Sequence, residues 1–123
     1  MKIMEAINAI DALKPNGYTQ PEKIGWLSQL DGMIQRELID THVGGDAHYV
    51  PYNEDTDPET ELLAPEPFCR DLYIKYLSAQ MDFHNGEIEQ YNNTLVSFQT
   101  DWTAFSRWYN RTHLPKSMPR KYW

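Results

Sequence analysis

The chain has 123 residues, 41% of them hydrophobic and 13% aromatic, and a net charge of −7 at neutral pH. Its length suits one domain, and its single cysteine, Cys69, excludes an intrachain disulfide and is typical of a reducing compartment. The acidic balance disfavours binding to free nucleic acid. The N-terminal segment mixes charged and apolar residues, so we expect neither a signal peptide nor a membrane span.

Two short helices are predicted at the N-terminal end. Apolar residues at helical spacing indicate the first helix over residues 3 to 13, and Pro15-Asn16-Gly17 ends it. Thr19 is the predicted N-cap of the second helix, with Glu22 completing a capping box, and this helix should run to about Thr41. We expect a core where the second helix meets the next one, built from Trp26, Leu27, Leu30, Ile34, Leu72, Tyr76 and Leu77.

Residues 44 to 67 are predicted to form an irregular, proline-rich acidic arm. The segment contains four prolines, at positions 51, 58, 65 and 67. It also contains seven acids: Asp46, Glu54, Asp55, Asp57, Glu59, Glu61 and Glu66. A loop of this length inside a compact domain is usually functional or mobile. We therefore expect the arm to become ordered against a neighbouring subunit.

The most regular pattern in the chain is a heptad-type seam. Its positions alternate in steps of three and four: Ile74, Leu77, Met81, His84, Ile88, Tyr91, Leu95, Phe98, Trp102, Phe105 and Tyr109. Because a turn would normally reset the phase, the seam predicts one long C-terminal helix from about residue 68 to 111. His84 would then be a hydrogen-bonded core histidine. Gly86 and Asn92-Asn93 are weak points that would mark a bend or a hairpin turn.

The length of this predicted helix indicates self-association. Residues 70 to 111 would span about 63 Å, whereas a compact chain of this size has a radius of gyration of about 14 Å. Two short helices cannot cover such a seam, so we expect other subunits to cover it. The predicted fold is all-α, with one domain at 1–113, which includes the arm, and a basic aromatic tail at 114–123.

The acidic arm carries a partial calcium-loop pattern. Acids stand at the first, third, fifth, seventh and twelfth positions of an EF-hand count: Asp55, Asp57, Glu59, Glu61 and Glu66. The glycine that the sixth position requires is absent, because Thr60 stands there. Pro58 and Pro65 also interrupt the loop. We therefore expect no calcium site.

The remaining residue groups predict neither a metal site nor a catalytic site. His42, Asp46 and His48 lie close together, but no second set of ligands accompanies them, as a structural zinc site would require. No His or acid stands at a spacing that would activate Cys69. Glycine-rich phosphate loops and the common hydrolase motifs are absent. We expect no catalytic, cofactor-binding or metal-binding residues, and no enzymatic activity.

The C-terminal segment differs in charge from the rest of the chain. Residues 107 to 123 hold five basic residues and no acid, which gives this segment a charge of +5. The rest of the chain therefore carries −12, and the net charge is −7. Residues 114–123 are either a frayed terminus or a segment that docks on the acidic surface of a neighbouring copy rather than on its own domain, and the aromatic residues favour docking. The interface candidates are Trp102, Phe105, Tyr109, Lys116, Arg120, Lys121, Tyr122 and Trp123.

Three groups of segments carry a resemblance to a known family. The first is residues 18–24, Tyr-Thr-Gln-Pro-Glu-Lys-Ile, leading into Trp26-Leu27; the second is residues 61–65 before residues 73–77; the third is residues 91–94, then 108–113 and Pro115. With the order of the predicted helices, they resemble the head–tail connector, or adaptor, proteins of tailed phages and prophages. The resemblance spans nearly the whole chain.

The resemblance implies a non-enzymatic, homo-oligomeric ring under the portal that extends the DNA channel toward the tail. Its partners would be the portal and tail-side proteins, with DNA as passing cargo and no membrane contact. Its place would be the neck of the virion, after assembly in the bacterial cytoplasm. An acidic lining would repel passing DNA. Two alternatives remain: another tail-completion or assembly protein, and a helical dimeric regulatory module that binds its partner through the aromatic seam.

Overall fold

The computed structural model describes residues 1–43 and 49–116, and in these residues the chain forms helices and no β-strand. The helices are α1 (Ile3–Leu13), α2 (Gln20–Ile34), α3 (Cys69–His84) and α4 (Ile88–Thr112). A five-residue π-helix, Gln35–Ile39, continues α2. The all-α prediction is confirmed, and α1 has the predicted bounds.

Local sequence signals account for the start of α2. The backbone N–H of Glu22 donates to Oγ1 of Thr19 at 3.3 Å, which confirms Thr19 as the N-cap. Pro21 lies in the first turn, where a missing N–H leaves no intrahelical bond unmade. The helical path continues through the π-helix to Ile39, close to the predicted end at Thr41.

The core forms where α1, α2 and α3 meet. The predicted core residues Leu27, Leu30, Ile34, Leu72 and Leu77 are all at most 1% exposed. Tyr76 packs against this cluster while partly exposed, and Trp26 is buried at its edge. The apolar face of α1 completes it with Ile3, Ile7 and Ile10. Burial of these side chains is the main favourable term that holds the three helices together.

The predicted long C-terminal helix is wrong, because the chain reverses between His84 and Ile88 and forms an antiparallel hairpin of α3 and α4. Side chains pair across it in the order that an antiparallel arrangement requires. Asp82 accepts from Thr94 at 3.4 Å, and Lys75 pairs with Asp101 at 2.5 Å. The ring of Phe68, just before α3, lies 5.4 Å from that of Phe105. The arrangement is a compact helical bundle.

The unbroken phase of the seam has a simple physical reason. Each helix of a hairpin buries one stripe, so both stripes repeat in steps of three and four. Across the turn at residues 85–87, His84 and Ile88 are four positions apart. This is also a helical step, so the three-and-four pattern continues in the sequence although the helix does not. Gly86 has φ +77°, which an α-helix cannot contain. The argument for oligomerisation from a 63 Å helix therefore no longer holds.

The turn should depend on Gly86. We expect Gly86→Ala to lower the free energy of unfolding by about 1–2 kcal/mol, because a Cβ is disfavoured at positive φ. Gly17→Ala is the matched control: Gly17 is exposed, has no positive φ, and a Cβ there would meet nothing within 4 Å. Urea denaturation of both variants measures the difference. Equal midpoints for the two variants would contradict a strained turn at residue 86.

The described part of the acidic arm is bound to its own domain. The first backbone N–H groups of α1 have no intrahelical acceptor, and carbonyl groups of the arm satisfy two of them: Ile3 N–H donates to Thr60 and Met4 N–H to Pro58, both at 3.0 Å. The N–H of Leu62 donates to the Met1 carbonyl at 2.8 Å. The expectation that residues 49–64 order only against a neighbour is therefore wrong. Residues 44–48 of the predicted arm lie outside the described residues.

The buried carboxylate of Asp31, on α2, holds the arm against the helices. It accepts hydrogen bonds from the hydroxyls of Tyr73 on α3 at 2.5 Å and Tyr52 on the arm at 2.6 Å, and from the Leu63 N–H at 3.1 Å. The Tyr73 hydroxyl also accepts from the N–H of Ala64. Burial raises the pKa of both tyrosines, so their hydroxyls keep their protons and donate at neutral pH.

Candidate interaction surfaces

Aromatic residues gather at the hairpin tip, in a surface that we call the aromatic end. It consists of Tyr18, Trp26, Phe83, His84, Ile88 and Tyr91. The rings of Trp26 and His84 stack at 5.5 Å, and Tyr18 meets Trp26 edge-on at 5.2 Å. Phe83 links His84 to Tyr91, with centroid distances of 5.4 and 5.3 Å. Because Phe83 and Ile88 are each about half exposed, at 51% and 53%, apolar surface faces solvent here.

An open groove of about 370 Å³ lies beside the Trp26–His84 stack, in what we call the α2 groove. Its lining residues are Tyr18, Pro21, Glu22, Gly25, Trp26, Gln29 and His84. Gly25 forms part of the floor, and a Cβ built there would meet no atom within 4 Å. The lining combines aromatic rings with one carboxylate and contains no Lys or Arg. These are the features of a surface that receives a cationic or aromatic side chain.

The charges around the aromatic end are acidic and exposed. Glu22 lies at the start of α2, and Glu87 and Glu89 lie at the start of α4. Among the described residues, none of these three acids forms an ion pair. Acids are favoured near helix N-termini, so their positions also have a local explanation. They nevertheless give the aromatic end a net negative potential.

The opposite end of the domain carries the start of the basic tail. Val43 N–H donates to the Leu114 carbonyl at 2.7 Å, and Lys116 N–H donates to the Thr41 carbonyl at 2.9 Å. The prediction that the whole segment 114–123 docks away from its own domain is therefore wrong for residues 114–116. Val43 and Leu114 are exposed, at 54% and 72%. Arg107, Arg111 and Lys116 form no ion pair with a described residue.

The structure separates the predicted interface residues into three groups. Phe105 and Tyr109 are buried in the chain's own core, at 1% and 8% exposed, so predicting them as interface residues is wrong. Trp102 is half-buried and packs against this core, while Lys116 is exposed. The remaining candidates lie outside the described residues: Arg120, Lys121, Tyr122 and Trp123.

Of the two histidines that the sequence singles out in the described residues, one differs from expectation. His84, predicted to be in the core, is exposed and stacks on Trp26. His42, considered as a metal ligand, is buried: its Nδ1 lies 2.6 Å from the Leu38 carbonyl and its Nε2 lies 2.7 Å from Oδ1 of Asn110. His42 thereby joins the end of the π-helix to α4, so its ring nitrogens have structural partners.

The acids of the EF-hand count are used within the fold or face solvent. Glu59 pairs with Lys2 at 2.7 Å and Glu61 with the N-terminal amine at 3.1 Å. Asp57 accepts the N–H of Glu59. Within residues 1–43 and 49–116, no three His, Cys, Asp or Glu side chains converge as a metal site would require. Asp46 and His48 lie outside these ranges.

Cys69 has no sign of activation. It is fully buried at the start of α3. Burial, followed by a hydrogen bond with Glu66, raises the pKa of its thiol, which disfavours the reactive thiolate. Cys69 therefore acts as a small core residue.

Sequence reasoning missed the aromatic end because its residues come from a loop, from α2 and from both sides of the hairpin turn. The available signal was His84, the one polar residue of the seam, which marks the place where the seam leaves the core. The chain matches no protein-family model, no curated protein and no solved structure. In the described part of the chain, no helix has the length and apolarity needed to cross a bilayer.

Proposed function

We propose that this protein is a structural subunit that assembles head to tail with copies of itself, as the connector ring of a tailed-phage neck does. The observation that carries the proposal is the exposed aromatic end at one extremity of the α3–α4 hairpin. Exposed apolar patches with acidic or polar rims mark protein interfaces. The 25 residues of α4 place the basic end about 38 Å away.

The two ends differ in chemistry, which favours a particular symmetry. The aromatic end is acidic, through Glu22, Glu87 and Glu89, whereas Arg107 and Arg111 lie in the last turns of α4 and Lys116 follows it. Contact between unlike surfaces is heterologous and produces a closed ring when the rotation between copies closes. A connector requires such a ring, and the resemblance of the sequence to connector proteins agrees with it.

The acidic arm supports the same function. Glu54, Asp55 and Glu66 are exposed and form no ion pair with a described residue. Because Asp31 and the first turn of α1 hold the arm on the domain, these charges have fixed positions. A ring with this surface facing its channel would repel DNA by like charge and let it pass without specific binding. The portal and tail-side proteins are the proposed partners, with the virion neck as the proposed site.

The aromatic end can be tested with one exposed substitution. We expect Phe83→Arg to weaken self-association at least about tenfold, because aromatic anchors commonly contribute more than about 1.4 kcal/mol to an interface. Val96→Arg is the matched control, since Val96 is 64% exposed on α4, away from the tip. Sedimentation measures the mass of both variants and of the wild type across concentration, and electron microscopy shows whether rings form.

The outcome separates the competing functions. Rings that form with Val96→Arg and fail with Phe83→Arg support the connector proposal. A stable dimer that never extends further would contradict it and favour the dimeric regulatory module. Equal loss of assembly in both variants would show that the aromatic end is not the interface.

A further inference from the structure

We propose that the α2 groove binds the C-terminal segment of a neighbouring copy, residues 117–123 of this chain. The inference rests on the proposed head-to-tail assembly and names the contact that would join successive copies. The segment has the sequence Ser-Met-Pro-Arg-Lys-Tyr-Trp. It follows directly on Lys116, the last described residue.

The floor of the groove indicates an occupant. Gly25 lies in the interior of α2, where alanine would favour the helix. A Cβ at this position would meet no atom within 4 Å, so packing does not require a glycine. What the glycine does provide is open space next to Trp26, between Tyr18 and Gln29. A glycine that is unfavourable for the helix and unnecessary for packing is explained by a ligand that approaches the backbone.

The chemistry of the groove matches the segment. The segment carries two positive charges, Arg120 and Lys121, followed by two large aromatic residues. The groove offers the carboxylate of Glu22 and the partly exposed ring of Tyr18, which attracts a cation over its face. Glu87 and Glu89 extend the negative potential past the hairpin turn. Trp123 supplies the large apolar area that anchors interfaces.

Chain length favours a neighbouring copy over the chain's own groove. Lys116 is bonded to Thr41, and about 20 Å of helix separates Thr41 from Trp26. Seven residues reach at most about 25 Å when fully extended. In its own groove, therefore, only the final residues would arrive, and Arg120 and Lys121 would fall short of Glu22. A segment from another copy has no such restriction, since its starting point is set by the assembly.

The test uses a synthetic peptide of residues 114–123 and the full-length protein labelled with ¹⁵N. We expect the peptide to shift the resonances of the Gly25 amide and the Trp26 indole N–H. Gly25→Ala places a methyl group where the ligand approaches the backbone, and Gly25→Gln fills more of the groove, so both should weaken peptide binding, Gly25→Gln at least about tenfold. Gly17→Ala, the matched control outside the groove lining, should leave affinity within about a factor of two. A peptide with Arg120→Glu and Lys121→Glu should not bind.

Three results would overturn the inference. The first is a peptide that shifts resonances away from the α2 groove. The second is equal affinity for Gly25→Gln and Gly17→Ala. The third is a contact between Trp26 and the chain's own C-terminal residues that persists, independent of concentration, in the monomer. Peptide binding is measured without ring formation, so the two proposals can fail separately. Binding of the peptide with no effect of Phe83→Arg would support the groove and contradict the assembly interface. Loss of the ring in Phe83→Arg without peptide binding would support the interface and contradict the groove.

Discussion

Asp31→Ala is expected to destabilise the fold by on the order of 4 kcal/mol, because it removes the acceptor of the buried Tyr73 hydroxyl and of two part-buried donors, and a buried donor left without an acceptor costs about 1–3 kcal/mol. The carboxylate is fully buried and accepts from Tyr52, Tyr73 and Leu63. Its loss would leave three donors without their acceptor at the junction of α2, α3 and the arm. A domain of this size has a total stability of about 5–15 kcal/mol, so the variant should be marginal.

The controls separate burial from charge. Asp55→Ala removes an exposed arm carboxylate and should change stability by less than about 0.5 kcal/mol. Tyr52→Phe removes one of the three donors and should cost about 1 kcal/mol. Urea denaturation gives the free energies, and limited proteolysis reports whether the arm is released. A midpoint for Asp31→Ala equal to that of Asp55→Ala would show that the network does not hold the arm.

Features encoded within a few neighbouring residues could be predicted from the sequence. The breaker at Pro15-Asn16-Gly17 and the N-cap at Thr19 act within one or two turns. Accordingly, α1 ends and α2 begins where the sequence predicts. The hairpin could not be predicted from the seam, because two antiparallel helices and one long helix bury stripes of the same spacing. The turn depended on one residue, Gly86, whose positive φ decides between them.

The attachment of the arm shows a different limit. Asp31 stands four positions after Leu27 on the buried side of α2, and a carboxylate there signals a polar network. Its partners lie 21, 32 and 42 positions away, so no local rule identifies them. The acidic composition of the arm predicted mobility, but the backbone of α1 required acceptors that the arm supplies.

Phe105→Ala distinguishes the observed core from the predicted interface. The ring is 1% exposed and lies within about 6 Å of several others, at 5.4 Å from Phe68 and 6.2 Å from Trp108. Deleting a buried Phe side chain costs about 3–5 kcal/mol, since the cavity closes only partly. We therefore expect a large loss of stability by urea denaturation. Under conditions where the variant remains folded, its self-association should equal that of the wild type.

The matched comparison is Phe83→Ala, which removes the same ring from an exposed position at the aromatic end. The free energy of unfolding of this variant should stay within about 0.5 kcal/mol of the wild-type value, whereas its self-association should be lost. Phe105→Ala should therefore lower stability and leave assembly intact, whereas Phe83→Ala should do the opposite. If Phe105→Ala instead kept the midpoint and lost assembly, Phe105 would face a partner, and the packing of α4 against Phe68 would not persist in solution.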